Sequence, residues 1–161
     1  MRAVLERVAR ASVAVEGESV GEIGRGLAVL VGVAAGDGDE DAEWIAAKIH
    51  ELRVFEDAEG KMNLSVADVG GEILLISQFT LLADCGRGRR PSFTGAADPA
   101  CGERLYERVA HVLRARGLPV ATGRFGARML VSIENEGPVT IILDSREGRR
   151  SGEGRGAEAV R

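Results

Sequence analysis

The run Leu27-Ala28-Val29-Leu30-Val31-Gly32-Val33 contains no polar side chain. So short and uniformly apolar a segment suits a strand buried on both faces. Ile73-Leu74-Leu75-Ile76 has the same character and marks a second buried strand over 72–77. Further strands are expected at 2–8, 11–16 and 19–23, with turns at Gly17-Glu18 and Gly24-Arg25-Gly26. Two more are expected at 129–134 and 138–143. On the residues alone, Gly137-Pro138 between these last two reads as an ordinary hairpin turn, and its peptide bond as trans, the default for X-Pro.

Two segments carry helical spacing. In the first, 40–53, Ala42, Ile45, Ile49 and Leu52 form one apolar stripe, with Asp39 as the expected N-cap. Trp44 and His50 read as packing or surface residues. The second has clear punctuation: Asp98 as N-cap, Pro99 in the first turn, Gly117 as the stop and Pro119 beyond it. Its buried stripe is Cys101, Leu105, Val109, Val112 and Leu113. Between the helices, residues 84–97 form a long ordered loop, a length that often carries function. Strands dominate, and sheets with helices on one side are the economical architecture.

A chain of 161 residues, 45% hydrophobic and 29% charged, fits one globular domain. No apolar run approaches the ~20 residues that span a bilayer, and the first residues do not read as a signal peptide. The expected location is the cytoplasm, with no membrane partner. Cys85 and Cys101 lack metal-type spacing and are expected as reduced thiols. The two histidines, His50 and His111, both fall in helical patterns, so no metal site is expected.

The net charge of −4 argues against general nucleic-acid binding, but it is unevenly spread. Residues 1–83 carry seven bases and fifteen acids, whereas residues 84–128 carry nine bases, all Arg, and four acids. An arginine-rich third on an acidic body suits a partner whose phosphates touch one edge. The simpler reading is that most of these arginines solvate a helix face.

Ser77-Gln78-Phe79-Thr80-Leu81 places small polar side chains where a buried strand surfaces. A hydroxyl there needs an activating base to act as a nucleophile. No G-x-S-x-G elbow exists, and neither histidine points obviously at Thr80. On the residues alone, Ser77 and Thr80 read as satisfying backbone groups at a strand end. The functional alternative uses the backbone: amide groups near Phe79 and Thr80 could hold an ester oxyanion, each such donor being worth ~3 kcal/mol.

Together, Ser77–Leu81 and Asn135-Glu136-Gly137-Pro138-Val139-Thr140 resemble the two signature motifs of the D-aminoacyl-tRNA deacylases. Arg7, Lys61-Met62-Asn63, Arg90-Pro91-Ser92-Phe93 and Gly123-Arg124-Phe125 extend the resemblance over residues 1 to about 144. It implies an α/β fold, a layered β-β-α single domain with mixed sheets and two main helices, working as a homodimer. The implied substrate is the 3′ end of a tRNA carrying a D-amino acid or mischarged glycine, and no cofactor is implied. In this family Gly137-Pro138 is expected in cis and inserted into the partner subunit's pocket, where its carbonyls reject L-aminoacyl groups by clash. Arg7 is expected to brace that dipeptide and Phe125 to line the pocket or interface. Ser77, Gln78, Phe79 and Thr80 are the expected catalytic segment. Either Thr80 attacks the ester, or the 2′-OH of the terminal adenosine activates water. The second is preferred because no base for Thr80 can be named. Residues 145–161 are Gly, Arg, Glu and Ser-rich and are expected as a disordered tail. Two rivals remain: a nucleic-acid-binding protein without turnover, using the arginine-rich loop 87–90 and the tail, and a hydrolase of other small D-amino-acid esters.

Overall fold

One strand organises the sheet. In the computed structural model, which describes residues 1–86 and 88–148, β1 (Arg2–Val15) pairs with three others. Its first half runs antiparallel to β3 (Gly26–Gly32), its second half to β2 (Glu18–Ile23), and both halves to β8 (Leu130–Asp144). Beyond β3 the sheet continues through β6 (Glu72–Ser77) to β7 (Val120–Thr122), both joined in parallel. The sheet is therefore mixed, as expected. A small ribbon, β4 (Phe55–Glu56) with β5 (Met62–Leu64), stands apart.

The two helices, α1 (Asp39–Glu51) and α2 (Pro99–Ala115), lie on one face. Ile73 and Leu75 of β6 join Ile45, Ile49, Leu105, Val109 and Leu113 in the larger core. Leu74 and Ile76 point the opposite way, into a second core with Val8, Val13, Ile23 and Ala28, backed by Met129, Val131 and Ile133. Side chains alternate across a strand, so a strand sandwiched between two cores must be apolar at every position. That is the physical origin of the two uninterrupted runs. The result is a β-β-α layering: helices over the sheet, and the far ends of β1, β2 and β8 folded over the other side.

Four expectations change. Residues 2–15 form one strand, not two, and so do residues 130–144, because β1 and β8 pair with each other along most of their length. Gly137-Pro138 is therefore not a hairpin turn. The chain does not reverse there; it bulges, so that Asn135 pairs with Val8 and Thr140 with Glu6 while the residues between leave the ladder. The N-cap of α1 is Gly38 rather than Asp39, and the Asp41 carboxylate accepts from the Gly38 amide at 2.9 Å. At the other end of the chain, the packed body runs past Asp144. Ser145 is buried, accepts from the Met1 ammonium at 2.8 Å and donates to Asp41 at 2.7 Å. The rest of the expected tail, 149–161, lies outside the described residues. Asp98 caps α2 as expected, accepting from the Cys101 amide at 3.0 Å. Among the described residues, no helix is long and apolar enough to cross a membrane.

Candidate functional site

At the end of β6 the chain leaves the sheet as a short 3-10 turn, Phe79–Leu82. The Gln78 amide still donates to Val31 at 2.8 Å, so the turn is tied to the neighbouring strand. Gly32, the last residue of β3, makes this approach possible. A β-carbon there would sit 2.8 Å from the Gln78 carbonyl oxygen and 2.4 Å from Leu82 Cδ2. The role of Gly32 was not read from the sequence. Its one signal was a glycine inside an otherwise branched apolar run.

Beside the turn lies a cavity of about 600 Å³, within the usual range for small-molecule sites. Ser77, Gln78 and Phe79 form one wall, and Phe93 with Ala97 another. Gly102 at the start of α2, Phe125, and Met129 with Val131 of β8 complete it. Phe79 is 56% exposed and meets the Phe93 ring edge-on, with centroids 5.1 Å apart. Phe125 tilts against Tyr106 at 6.1 Å, and Tyr106 donates to the Leu75 carbonyl at 2.8 Å. Burial pushes the Tyr106 hydroxyl up to about 12, so at neutral pH it remains a donor that anchors the aromatic wall.

Thr80 is exposed and is not among the cavity-lining residues, although it directly follows them. Its hydroxyl accepts from the Gln78 side-chain amide. Neither histidine lines the cavity. The Gln78 amide holds Thr80 Oγ1 as an acceptor and cannot take a proton from it, so this contact provides no activating base. Among the described residues, no cluster of three or more His, Cys, Asp or Glu side chains is placed to hold a metal. Cys85 and Cys101 are free thiols.

The second motif lies elsewhere. Glu136, Gly137 and Pro138 are exposed, the Gly137-Pro138 bond is cis, and neither residue lines the cavity. The neck of the bulge is closed by Asn135, whose Oδ1 accepts from the Val139 amide at 3.0 Å and whose Nδ2 donates to the Val139 carbonyl at 3.2 Å. From beneath, the buried Arg7 donates to the Glu136 carbonyl at 3.0 Å and to the Val54 carbonyl at 2.8 Å. The apex is thus held at both ends while its own surface faces out. Of the residues expected from the sequence, Ser77, Gln78, Phe79 and Phe125 share the cavity. Arg7, Gly137 and Pro138 form a separate group. Asn135, the clasp of the bulge, had been noted only as part of its motif.

Comparison with known proteins gives a consistent result. The family described as D-Tyr-tRNA(Tyr) deacylase matches residues 4–144. A D-aminoacyl-tRNA deacylase of Dehalococcoides mccartyi is 60% identical over 147 residues, 91% of this chain and 96% of that protein. One from Thermotoga petrophila is 59% identical over 145 residues, covering 90% and 97%. Among solved structures, the c-Myc DNA Unwinding Element Binding Protein superposes with a TM-score of 0.85 at 44% identity, covering 89% of this chain and 98% of that one. A probable eukaryotic D-amino acid tRNA deacylase shares the fold, with a TM-score of 0.77 at 21% identity over the same shares.

Proposed function

Because the chain belongs to the D-Tyr-tRNA(Tyr) deacylase family, we propose that it hydrolyses the ester joining a D-amino acid, or mischarged glycine, to the 3′ end of a tRNA, and spares L-aminoacyl esters. The observation that carries this reading is the pairing of an aromatic-walled cavity at the end of β6 with an exposed, clamped Gly137-Pro138 apex on the same chain. The cavity takes the terminal adenosine. The exposed Phe79 ring offers a stacking face, a common means of holding an unpaired base. Phe79 and Thr80 open the 3-10 turn, where the first amide groups have no partner within the turn. Those amides are the donors for the oxyanion that forms as water attacks the ester. With no base bonded to Thr80 among the described residues, the 2′-OH of the adenosine activates the water.

A second copy of the chain supplies the chirality filter. Its Gly137-Pro138 carbonyls face the α-carbon of the bound aminoacyl group. A D-residue turns hydrogen and ammonium toward them, and an L-residue pushes its side chain into them. Glycine has no side chain to reject. Dimerisation is supported by β8, a long strand whose ladder partner is β1 and which bears Leu130 and Ile142 at 73% and 74% exposure. An exposed strand of that length invites another chain.

The test is hydrolysis of one aminoacyl-tRNA in its D and L forms, side by side, with EDTA present. Rapid loss of the D ester alone is expected, and cleavage of neither would favour a binding protein without turnover, a function suggested by the name of the structural relative at 44% identity. Thr80→Ala is expected to keep activity within about tenfold of wild type, whereas a nucleophile's removal costs roughly three or more orders of magnitude. Steady-state kcat with an independent binding measurement separates the two.

A further inference from the structure

The arginines of this chain fall into two groups once their partners are known. Arg104 and Arg108 of α2 and Arg116 at its C-cap pair with Asp39, Glu43 and Glu51 of α1, a ladder between the two helices. Arg114 donates to the Val120 carbonyl at 3.0 Å. Arg2, Arg7, Arg10 and Arg146 all reach carboxylates. Arg25 lies over the Phe55 ring, and Arg53 sits in the field of Asp68. Four further exposed arginines among the described residues, Arg89, Arg90, Arg124 and Arg128, have no side-chain hydrogen bond, ion pair, ring contact or electrostatic partner.

All four belong to the two loops that wall the cavity. Arg89 and Arg90 sit on the loop tied off by the Asp84–Ser92 bridge, with backbone bonds of 2.8 and 2.9 Å. That loop leads directly to Phe93, which packs on Phe79. Arg124 and Arg128 bracket the lining residues Phe125, Gly126 and Ala127. The acids of these loops, Asp84 and Asp98, accept from the amides of Gly86 at 2.8 Å and Cys101 at 3.0 Å, so each is turned toward its own backbone. Four unpaired cations against two engaged carboxylates leave the cavity mouth positive on a chain of net charge −4.

We infer that Arg89, Arg90, Arg124 and Arg128 form a phosphate-binding rim around the cavity, and that its ligand is the phosphodiester backbone of the RNA strand whose terminal nucleoside enters the cavity. This rests on the deacylase reading above and adds the residues that hold the substrate outside the reacting centre. Guanidinium groups suit the role, since their planar fork matches phosphate oxygens. The acidic body confines the contact to this edge and repels RNA elsewhere.

The test replaces the arginines by glutamine in pairs, R89Q/R90Q and R124Q/R128Q, and all four together, with thermal melting to establish folding. Binding of uncharged tRNA is measured across salt concentrations. Hydrolysis is measured on D-aminoacyl-tRNA and on the matching D-aminoacyl-adenosine ester, which has no phosphate. The fourfold variant is expected to bind tRNA at least about tenfold more weakly near 50 mM salt, with the log–log salt slope flattened by roughly 3, about 0.7 per lost phosphate contact. The ratio of kcat/KM on tRNA to that on the adenosine ester is expected to fall about tenfold or more, in step with binding. Unchanged affinity and slope would overturn the rim, as would an equal loss on both esters. If wild type cleaves neither ester while the variant still loses tRNA affinity, the deacylase reading fails and the rim stands.

Discussion

Gly137→Ala is expected to reduce the ratio of D- to L-aminoacyl-tRNA hydrolysis by about 100-fold or more, with the protein still folded. Gly137 has φ +137°, a backbone region that residues with a β-carbon rarely adopt. A β-carbon would also stand 2.8 Å from Val139 Cγ2, 2.9 Å from the Val139 amide nitrogen and 3.1 Å from Arg7 Nη2. The Val139 amide is held by Asn135, and Arg7 is held by two carbonyls, so neither can yield without opening the clasp. The apex must therefore change shape. Because the apex is exposed, the conformational cost is roughly 1–3 kcal/mol, which lowers Tm without unfolding the domain. The measurement is kcat/KM on both stereoisomers beside a melting curve. Full D-selectivity in a folded variant would remove the filter from the mechanism.

Gly32→Ala is expected to lower kcat/KM on the D ester by about 100-fold, the usual penalty for a misplacement near 1 Å. The clash here is with backbone: the new methyl would lie 2.8 Å from the Gln78 carbonyl oxygen and 3.1 Å from Leu81 Cβ. Leu82 Cδ2, at 2.4 Å, can swing away, but the Gln78 peptide is bonded to Val31 and must carry the whole turn with it. Overpacking of this kind costs about 1–3 kcal/mol, which for a domain of this size lowers Tm by roughly 2–4 °C per kcal/mol. Stability and activity thus separate: a modest fall in Tm with a large fall in turnover is the expected pair. Wild-type turnover in the variant would mean that the turn after β6 does not position the ester.

The helix boundaries and the central strands were legible because their signals are local. Asp98 caps α2 within three residues of the amide it satisfies, and Ile73 to Ile76 are apolar because both faces of β6 are covered. The continuity of β1 and of β8 was not legible. The pattern of β1 breaks at Ala9-Arg10 and that of β8 at Asn135-Glu136-Gly137-Pro138, which looks like a turn in isolation, and the ladder that carries the chain straight through joins residues more than a hundred positions apart. The same limit hid Ser145, whose short polar side chain reads as tail but closes over the Met1 ammonium at the other end of the chain. The arginines show the limit most directly. Composition counted nine between 84 and 128, and a helix face accounted for several. The acids that neutralise that face lie on α1, and only their positions distinguish Arg104 from Arg124.

From the residues themselves came a strand-rich fold with two helices on one side, the segment Ser77–Thr80 and the motif around Gly137-Pro138, whereas the mixed β-β-α layering was what the family resemblance implied. Those features depend on residue type and near neighbours: alternation across a strand, a cap three residues from its amide, a glycine beside a proline. Tertiary structure decided that the Gly137-Pro138 segment bulges from a continuous strand and does not close a hairpin, that Arg7 and Asn135 clasp it, and that it stands apart from the cavity on its own chain. It also decided which charges remain unspent. Hydrogen bonds and ion pairs act over a few ångströms regardless of chain separation, so the partners of Arg7 and the lack of partners for Arg128 are properties of the folded chain alone.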